Sequence, residues 1–164
     1  MGFCKSKDLK SGDLIAWADI PSSQGKVNFF KLVRLMTMSD YGHVSVVWVK
    51  NGVPMQVEAT QPRVRVAPIP TNAELYVIPM GLDLTDEQMN EFFKDKIGLK
   101  YSNLDAVNGW LGWRLRAEDR WQCAELCLEF YRFFKLQIPD RYTPSRLVKE
   151  ILKLFNTGLF KLTF

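Results

Sequence analysis

The stretch "HVSVVWVKNGVPMQVEAT", residues 43–60, predicts a β-hairpin around which the rest of the fold can be built. Two runs rich in valine and other strand-forming residues flank Asn51-Gly52, and Asn-Gly between such runs is the strongest short-range hairpin signal. A two-residue turn at this site pairs Lys50 with Val53. That pairing sets the register of every residue behind them, because side chains alternate between the two faces of a strand.

The predicted register separates an apolar face of the hairpin from a polar face. His43 and Glu58 become diagonal neighbours, with backbones about 7–8 Å apart and side chains that can meet. A carboxylate beside an imidazole fixes its tautomer and favours its protonated form, as a catalytic base requires. The apolar face contains Val44, Val46, Trp48, Met55, Val57 and Ala59, and the polar face contains His43, Ser45, Gln56, Glu58 and Thr60.

His43 is the only histidine of the chain, so any histidine-dependent chemistry must use it. The plainer interpretation is a satisfied polar residue at a strand start. A zinc site would need the cysteines, which are Cys4, Cys123 and Cys127. Their spacing, Cys-x-x-x-Cys within one predicted helix and a third cysteine far away, does not match structural zinc sites. We therefore expect neither a metal nor a cofactor.

Cys123 is the candidate partner of the histidine. The segment "WQCAELCLEFYRFFKL", residues 121–136, predicts a helix with Cys123 near its start, where N–H groups and the helix dipole stabilise a thiolate. Cys127 lies one turn further on among apolar residues and is expected to be a buried structural thiol. The same core role is the alternative for Cys123, and the helix alone does not separate the two interpretations.

The remaining elements predict an α+β fold. Strand signals dominate up to Met80, and Thr85 with Gln88 forms a capping box at the start of a later helix. Strands followed by helices favour an antiparallel β-meander with helices packed on one side. The further strands are predicted at residues 11–17, 63–69 and 74–80, and the helices at 27–36, 84–98, 121–136 and 143–155. The apolar segment at residues 158–164 is expected to pack as a terminal strand, and an apolar edge for a lipid or a partner is the alternative.

Length and composition limit the classes of protein. The chain of 164 residues is 47% apolar, which suits a single domain over residues 1–164. The net charge of +4 is spread along the chain without a basic-aromatic motif, so no specific nucleic-acid partner is expected. An odd number of cysteines argues against a disulfide scaffold.

The targeting signals favour a cytoplasmic protein. No apolar run reaches the length of a membrane span, and the basic N-terminus lacks the apolar stretch of a signal peptide. The start "MGFCKS" fits the short myristoylation pattern, with Cys4 available for a second lipid, but that pattern has meaning only in a eukaryotic host. This pattern is the only sequence signal for membrane contact, and the sequence does not predict an oligomeric state.

The motifs "GDLI", "GHVSVV", "VEAT", "WQCAEL" and "TPSRL", in this order, resemble the permuted papain-like branch of the NlpC-type cysteine hydrolases, the YiiX- and YebB-like proteins. The resemblance covers about residues 12–147. It implies a papain-like half-barrel in circularly permuted order, with the histidine strand ahead of the cysteine helix. It further implies Cys123 as the nucleophile, His43 as the base and Glu58 as the residue that orients the imidazole. Tyr101, in "GLKYSN", resembles the Gly-x-x-Tyr element beside the family's active site.

This resemblance implies a hydrolase that cleaves an amide bond, in a peptide or a cell-wall peptide, through a thioester. One alternative is a lipid-directed thioesterase or acyltransferase resembling the lecithin retinol acyltransferase group, which shares the order of histidine before cysteine but usually has a second histidine. A non-catalytic binding module on the same fold is the other alternative.

The segment at residues 103–121 contains three of the five tryptophans. Trp110 and Trp113 are candidate substrate contacts beside Tyr101, because exposed aromatic side chains over a cleft suit a sugar, peptide or lipid. The alternative, which we favour slightly, is that these two tryptophans cap the core.

Overall fold

The computed structural model describes residues 2–19, 40–101, 120–140 and 143–164. The predicted helix at residues 27–36 lies outside these ranges. The helices are α1 (Asp86–Phe93), α2 (Cys123–Phe133) and α3 (Pro144–Phe155). The strands are β1 (Gly2–Lys5), β2 (Leu14–Asp19), β3 (His43–Lys50), β4 (Val53–Ala59), β5 (Val64–Pro68), β6 (Glu74–Ile78), β7 (Lys100–Tyr101), β8 (Arg120–Trp121) and β9 (Phe160–Thr163).

Within the described residues, the strands form a seven-stranded sheet in the order β1-β9-β6-β2-β3-β4-β5 and a separate parallel pair, β7-β8. The β1-β9 pair is parallel and the other neighbours in the large sheet are antiparallel. The α+β class is therefore confirmed. No helix in the described part of the chain is both long enough and apolar enough to cross a membrane.

The β3-β4 hairpin has the register that its turn predicts. Val46 pairs with Val57, as expected for a two-residue turn. Asn51 and Gly52 have φ angles of 51° and 76°. Positive φ at both central residues is what a type I′ turn requires, and asparagine and glycine adopt it at low cost. The polar side chains of the hairpin consequently share one face of the sheet.

β2 lies in the middle of the sheet, which corrects the predicted meander. Strands β2 to β5 are consecutive neighbours, but β6 returns to pair with β2 on its other side. The run Leu14, Ile15 and Ala16 is fully buried, so both faces of β2 are covered. A central strand of this kind needs a neighbour on each side for its backbone N–H and C=O groups, and β6 supplies the second one.

The described helices pack against one face of the sheet, as the order of elements predicts. The apolar face of the hairpin contributes Val44, Val46, Trp48, Val57 and Ala59 to this core. The helices contribute Met89, Phe92, Phe93, Leu126, Phe130, Leu147, Val148 and Ile151.

The opposite face of the sheet is also buried, which strand alternation alone does not indicate. A second apolar cluster forms there around Ile15, Trp17, Val47 and Val77. β9, the strand predicted at residues 158–164, adds Leu162 to this cluster and lies between β1 and β6. The polar side chains on this face of the hairpin are buried as well, each 7% exposed or less.

Asp13, in the "GDLI" motif, ties the start of β2 to the end of β6. Its buried carboxylate accepts from the N–H of Lys10 at 2.9 Å and from the N–H of Met80 at 3.2 Å. Burial raises the pKa of Asp13, and the two backbone hydrogen bonds oppose that shift. Asp13 therefore links the loop that precedes β2 to the segment that follows β6.

Asp13→Ala is expected to lower the free energy of unfolding by about 2 kcal/mol, because each buried donor that loses its acceptor costs about 1–3 kcal/mol. Urea denaturation measures this loss. Asp83→Ala is the control, since Asp83 only forms an exposed ion pair with Lys10 and should cost less than about 0.5 kcal/mol. Equal losses in the two variants would contradict the structural role of Asp13.

Candidate active site

His43 and Glu58 form a buried hydrogen bond across the β3-β4 hairpin. The Nε2 atom of His43 lies 2.8 Å from Oε2 of Glu58. The two residues are only 1% and 3% exposed. The predicted diagonal placement is therefore present, and it leaves Nδ1 as the ring nitrogen that can serve another group.

Arg65, on β5, holds the other oxygen of the same carboxylate. It lies directly opposite Glu58 in the β4-β5 register. Its Nε donates to Oε1 of Glu58 at 2.9 Å, and its Nη2 lies 2.8 Å from the same oxygen. Burial alone raises the pKa of Glu58, but the hydrogen bonds and charges of His43 and Arg65 outweigh it and hold that pKa below its ordinary value. The buried carboxylate is therefore ionised.

Cys123 is the first residue of α2, which packs against β3 and β4. The first hydrogen bond of the helix runs from Leu126 N–H to Gln122 C=O at 3.0 Å, so the N–H of Cys123 precedes the helical ladder. The helix dipole places partial positive charge at this end. The N–H groups at this end of the helix therefore face the position that an oxyanion next to Cys123 would occupy.

The His43 imidazole interacts with the Cys123 side chain as well as with Glu58. Burial lowers the pKa of His43, but negative charge on Cys123 and a hydrogen bond with it, followed by the same two contributions from Glu58, raise the pKa to about 10. Two acidic partners thus hold the ring in its protonated form. The Cys123 side chain therefore lies near enough to influence the charge of the imidazole that Glu58 holds.

Tyr101 reaches the same place through the β7-β8 pair. It pairs with Trp121, two residues before Cys123, and its N–H donates to the carbonyl of Pro62 at 3.0 Å. Burial, and after it the negative charge on Cys123, raise the pKa of Tyr101 far above its usual value. Tyr101 therefore remains a protonated phenol close to the thiol.

The other two cysteines lie in different environments. Cys127 is fully buried, as predicted, and burial followed by the charge on Cys123 raises its pKa well above the ordinary value. Cys4 is half-buried on β1, and burial is the main cause of its raised pKa. Trp110 and Trp113 lie outside the described residues, so their predicted substrate contacts stay predictions.

A cavity of about 470 Å³ opens beside His43 and Glu58 on the polar face of the hairpin. Gln56, deep in this cavity, accepts from Ser45 Oγ at 2.9 Å, and Trp17 Nε1 donates to the same hydroxyl at 3.4 Å. The cavity is lined by Trp17, His43, Gln56, Glu58, Thr60, Arg65, Ala67, Pro68 and Pro70.

Two residues of the site were not predicted from the sequence. The Trp17 ring packs edge-on against the His43 ring at 5.4 Å between centroids, and Arg65 binds Glu58. The signal for Arg65 was the alternation in "RVRVAPI", which places it on one face with Ala67. Alternation alone does not identify Glu58 as the partner of Arg65, because that pairing depends on the register between β4 and β5.

A comparison with solved structures finds the crystal structure of the metalloprotein YiiX from Escherichia coli O157:H7. The two chains are 22% identical, the match covers 80% of this chain and 69% of that one, and the TM-score is 0.56. This likeness shows a mixed α+β fold similar to that of YiiX. No protein-family model matches the sequence, and no curated protein matches it.

The chain has a single histidine, so a nuclear magnetic resonance titration can follow His43 without distinguishing it from other histidines. This titration tests whether Glu58 and Cys123 keep the imidazole protonated. The imidazole should stay protonated through neutral pH and titrate near 10. Cys123→Ala and Glu58→Gln should each lower that midpoint, since each removes negative charge from the ring's surroundings. Cys127→Ala removes a buried thiol one turn away and should leave it unchanged. A midpoint near about 6.5 in the unmodified protein would contradict the arrangement.

Proposed function

We propose that this protein is a cysteine-dependent hydrolase that cleaves an amide bond, in a peptide or peptide-like substrate, through a thioester intermediate. Cys123 is the nucleophile, His43 the acid-base residue and Glu58 the carboxylate that orients the imidazole. The observation that carries the proposal is that Glu58 holds Nε2 of one buried imidazole at 2.8 Å, while Cys123, at the start of α2, acts on the charge of the same ring. A thiol is activated when a base lies beside it and a third group orients that base.

The order of these residues along the chain supports a permuted papain-like assignment. The histidine and glutamate strands, β3 and β4, precede the cysteine helix α2. The residue that orients the histidine is a glutamate, and the chain has no second histidine, unlike most members of the lecithin retinol acyltransferase group. Both features favour amide hydrolysis of the YiiX- and YebB-like kind.

YiiX, whose fold this chain resembles, is a metalloprotein, so the residues near Cys123 must be tested as metal ligands. The two oxygens of Glu58 are engaged by His43 and Arg65, and Nε2 of His43 is engaged by Glu58. Within the described ranges, no three His, Cys, Asp or Glu side chains are grouped so that they could hold a metal ion. These donors do not fit a resident metal.

The acylation step begins with a thiolate on Cys123 and an imidazolium on His43. The sulfur attacks the carbonyl carbon, a C–S bond forms, and the carbonyl π electrons move to oxygen. The C–N bond then breaks, and His43 gives its proton to the leaving nitrogen, which departs as an amine. The products of this half-reaction are a thioester on Cys123 and a neutral imidazole.

The deacylation step uses the neutral imidazole as a base. His43 takes a proton from water as the water oxygen attacks the thioester carbon. The C–S bond breaks, the acid product leaves, and the thiolate-imidazolium pair is restored. Glu58 keeps the ring in one orientation through both steps and stabilises its positive charge.

The oxyanion of each tetrahedral intermediate forms next to the start of α2. The N–H of Cys123 is ahead of the helical ladder and adds to the partial positive charge of the helix end. Tyr101 remains a phenol and can donate a second hydrogen bond from β7. Fixed donors of this kind stabilise the negative charge as it develops.

Alkylation by iodoacetamide, followed residue by residue with mass spectrometry, tests the activated thiol. At neutral pH, Cys123 should react at least about tenfold faster than Cys4 or Cys127, because a thiolate is the reactive form and an ordinary thiol is only a few per cent ionised. His43→Ala should remove most of this advantage. Unfolded protein is the control, since all three thiols should then react alike. Slow and similar alkylation of all three in the folded protein would contradict the proposal.

A further inference from the structure

A third charged residue continues the row that contains His43 and Glu58. β3, β4 and β5 are adjacent strands, and each contributes one charged side chain to the same face of the sheet. Arg65 makes two contacts of 2.9 Å and 2.8 Å, both with Oε1 of Glu58. The other oxygen, Oε2, is the one that binds the imidazole. Each oxygen of the carboxylate therefore has its own cationic partner.

This arrangement limits how the carboxylate can rotate. Turning the Glu58 group about its terminal bond would break two contacts with Arg65 as well as the contact with His43. A guanidinium that meets a carboxylate through two N–H groups fixes geometry as well as charge. The oxygen that faces His43 is consequently held in place from β5, on the other side of β4 from His43.

A second cation also balances the negative charges of the site. In the reactive state the thiolate and Glu58 are negative, and the imidazolium alone is positive, so these three buried groups carry an excess negative charge. Arg65 supplies the missing positive charge, and its half-exposed side chain, 53% accessible, spares it most of the cost of burial. The other titratable groups that face Cys123 from the described elements, Tyr101 and Cys127, have raised pKa values and stay neutral.

We propose that Arg65 is a positioning residue of this site, which holds Glu58 as a carboxylate with Oε2 directed at His43 and so balances the charge of the thiolate-imidazolium pair. The inference rests on the proposed function, because it assigns Arg65 a role in activating Cys123. Arg65 contacts neither the thiol nor the imidazole and acts only through Glu58.

The rate of Cys123 alkylation by iodoacetamide, measured as a function of pH on the full chain, tests this role. Arg65→Met keeps the length of the side chain but removes its charge. It should move the acidic limb of the rate profile to higher pH by about one unit, because the site loses a cation that stabilises its negative charges, the thiolate of Cys123 included. Arg65→Lys keeps the positive charge but loses the two-point contact with Glu58. Its rate profile should therefore lie close to that of the unmodified protein, with only a small shift to higher pH.

Arg63→Met is the matched control. Arg63 is exposed two residues earlier, and its backbone forms an isolated bridge with Lys100. Its removal changes the net charge by the same amount and should leave the profile where it was. Thermal melting shows whether each variant is folded, and if Arg65→Met is not, the smaller upward shift expected of Arg65→Lys decides the question.

The outcomes separate this inference from the proposed function. If His43→Ala slows the alkylation of Cys123 but Arg65→Met and Arg65→Lys give the profile of the unmodified protein, the role of Arg65 is overturned and the activated thiol stands. If His43→Ala alkylates at the unmodified rate, the proposed function fails, and the role of Arg65 falls with it. A shift in Arg63→Met as large as that in Arg65→Met would also overturn the inference, because it would reflect net charge alone.

Discussion

The Asn51-Gly52 turn fixes the register of β3 against β4, and through that register the position of Glu58 beside His43. A slip of one residue would move Glu58 to the opposite face of the sheet, among the valines that pack on the helices. Because both faces are buried, such a slip would also place apolar side chains in the polar row. Packing on both faces of the sheet therefore stabilises the same register that the turn sets. The positions of His43 and Glu58 follow from that register.

Burial makes the charges of this site costly, and their mutual contacts offset that cost. An ionised carboxylate in a dry environment is strongly unfavourable unless cations and hydrogen bonds surround it. Glu58 has a cation on each oxygen, and Glu58 and Cys123 both raise the pKa of His43. Removing one member leaves the others without compensation, so the row behaves as a unit. This coupling is how the buried imidazole of His43 can remain positively charged at neutral pH.

The parts of the site that could be predicted from the sequence depend on local signals. The Asn-Gly turn determined the relation of His43 to Glu58, and the start of α2 was visible around Cys123 in the helical pattern. Arg65 was missed because its partner depends on the β4-β5 register, and the connection at residues 60–63 has no turn signal as clear as Asn-Gly. The pairing of β6 with β2 was missed for a related reason, since it joins strands that are distant in the sequence.

The central claim is that Cys123 forms and then releases an acyl group with the help of His43. Mass spectrometry after mixing the protein with p-nitrophenyl acetate tests it directly, since this activated ester needs no specific binding pocket. The account predicts an acetyl group on Cys123 that appears quickly and decays in the unmodified protein. In His43→Ala the adduct should form slowly, and any that forms should persist. Absence of an acetyl adduct on Cys123 in the folded protein, or equal acetylation of Cys4, Cys123 and Cys127, would contradict it.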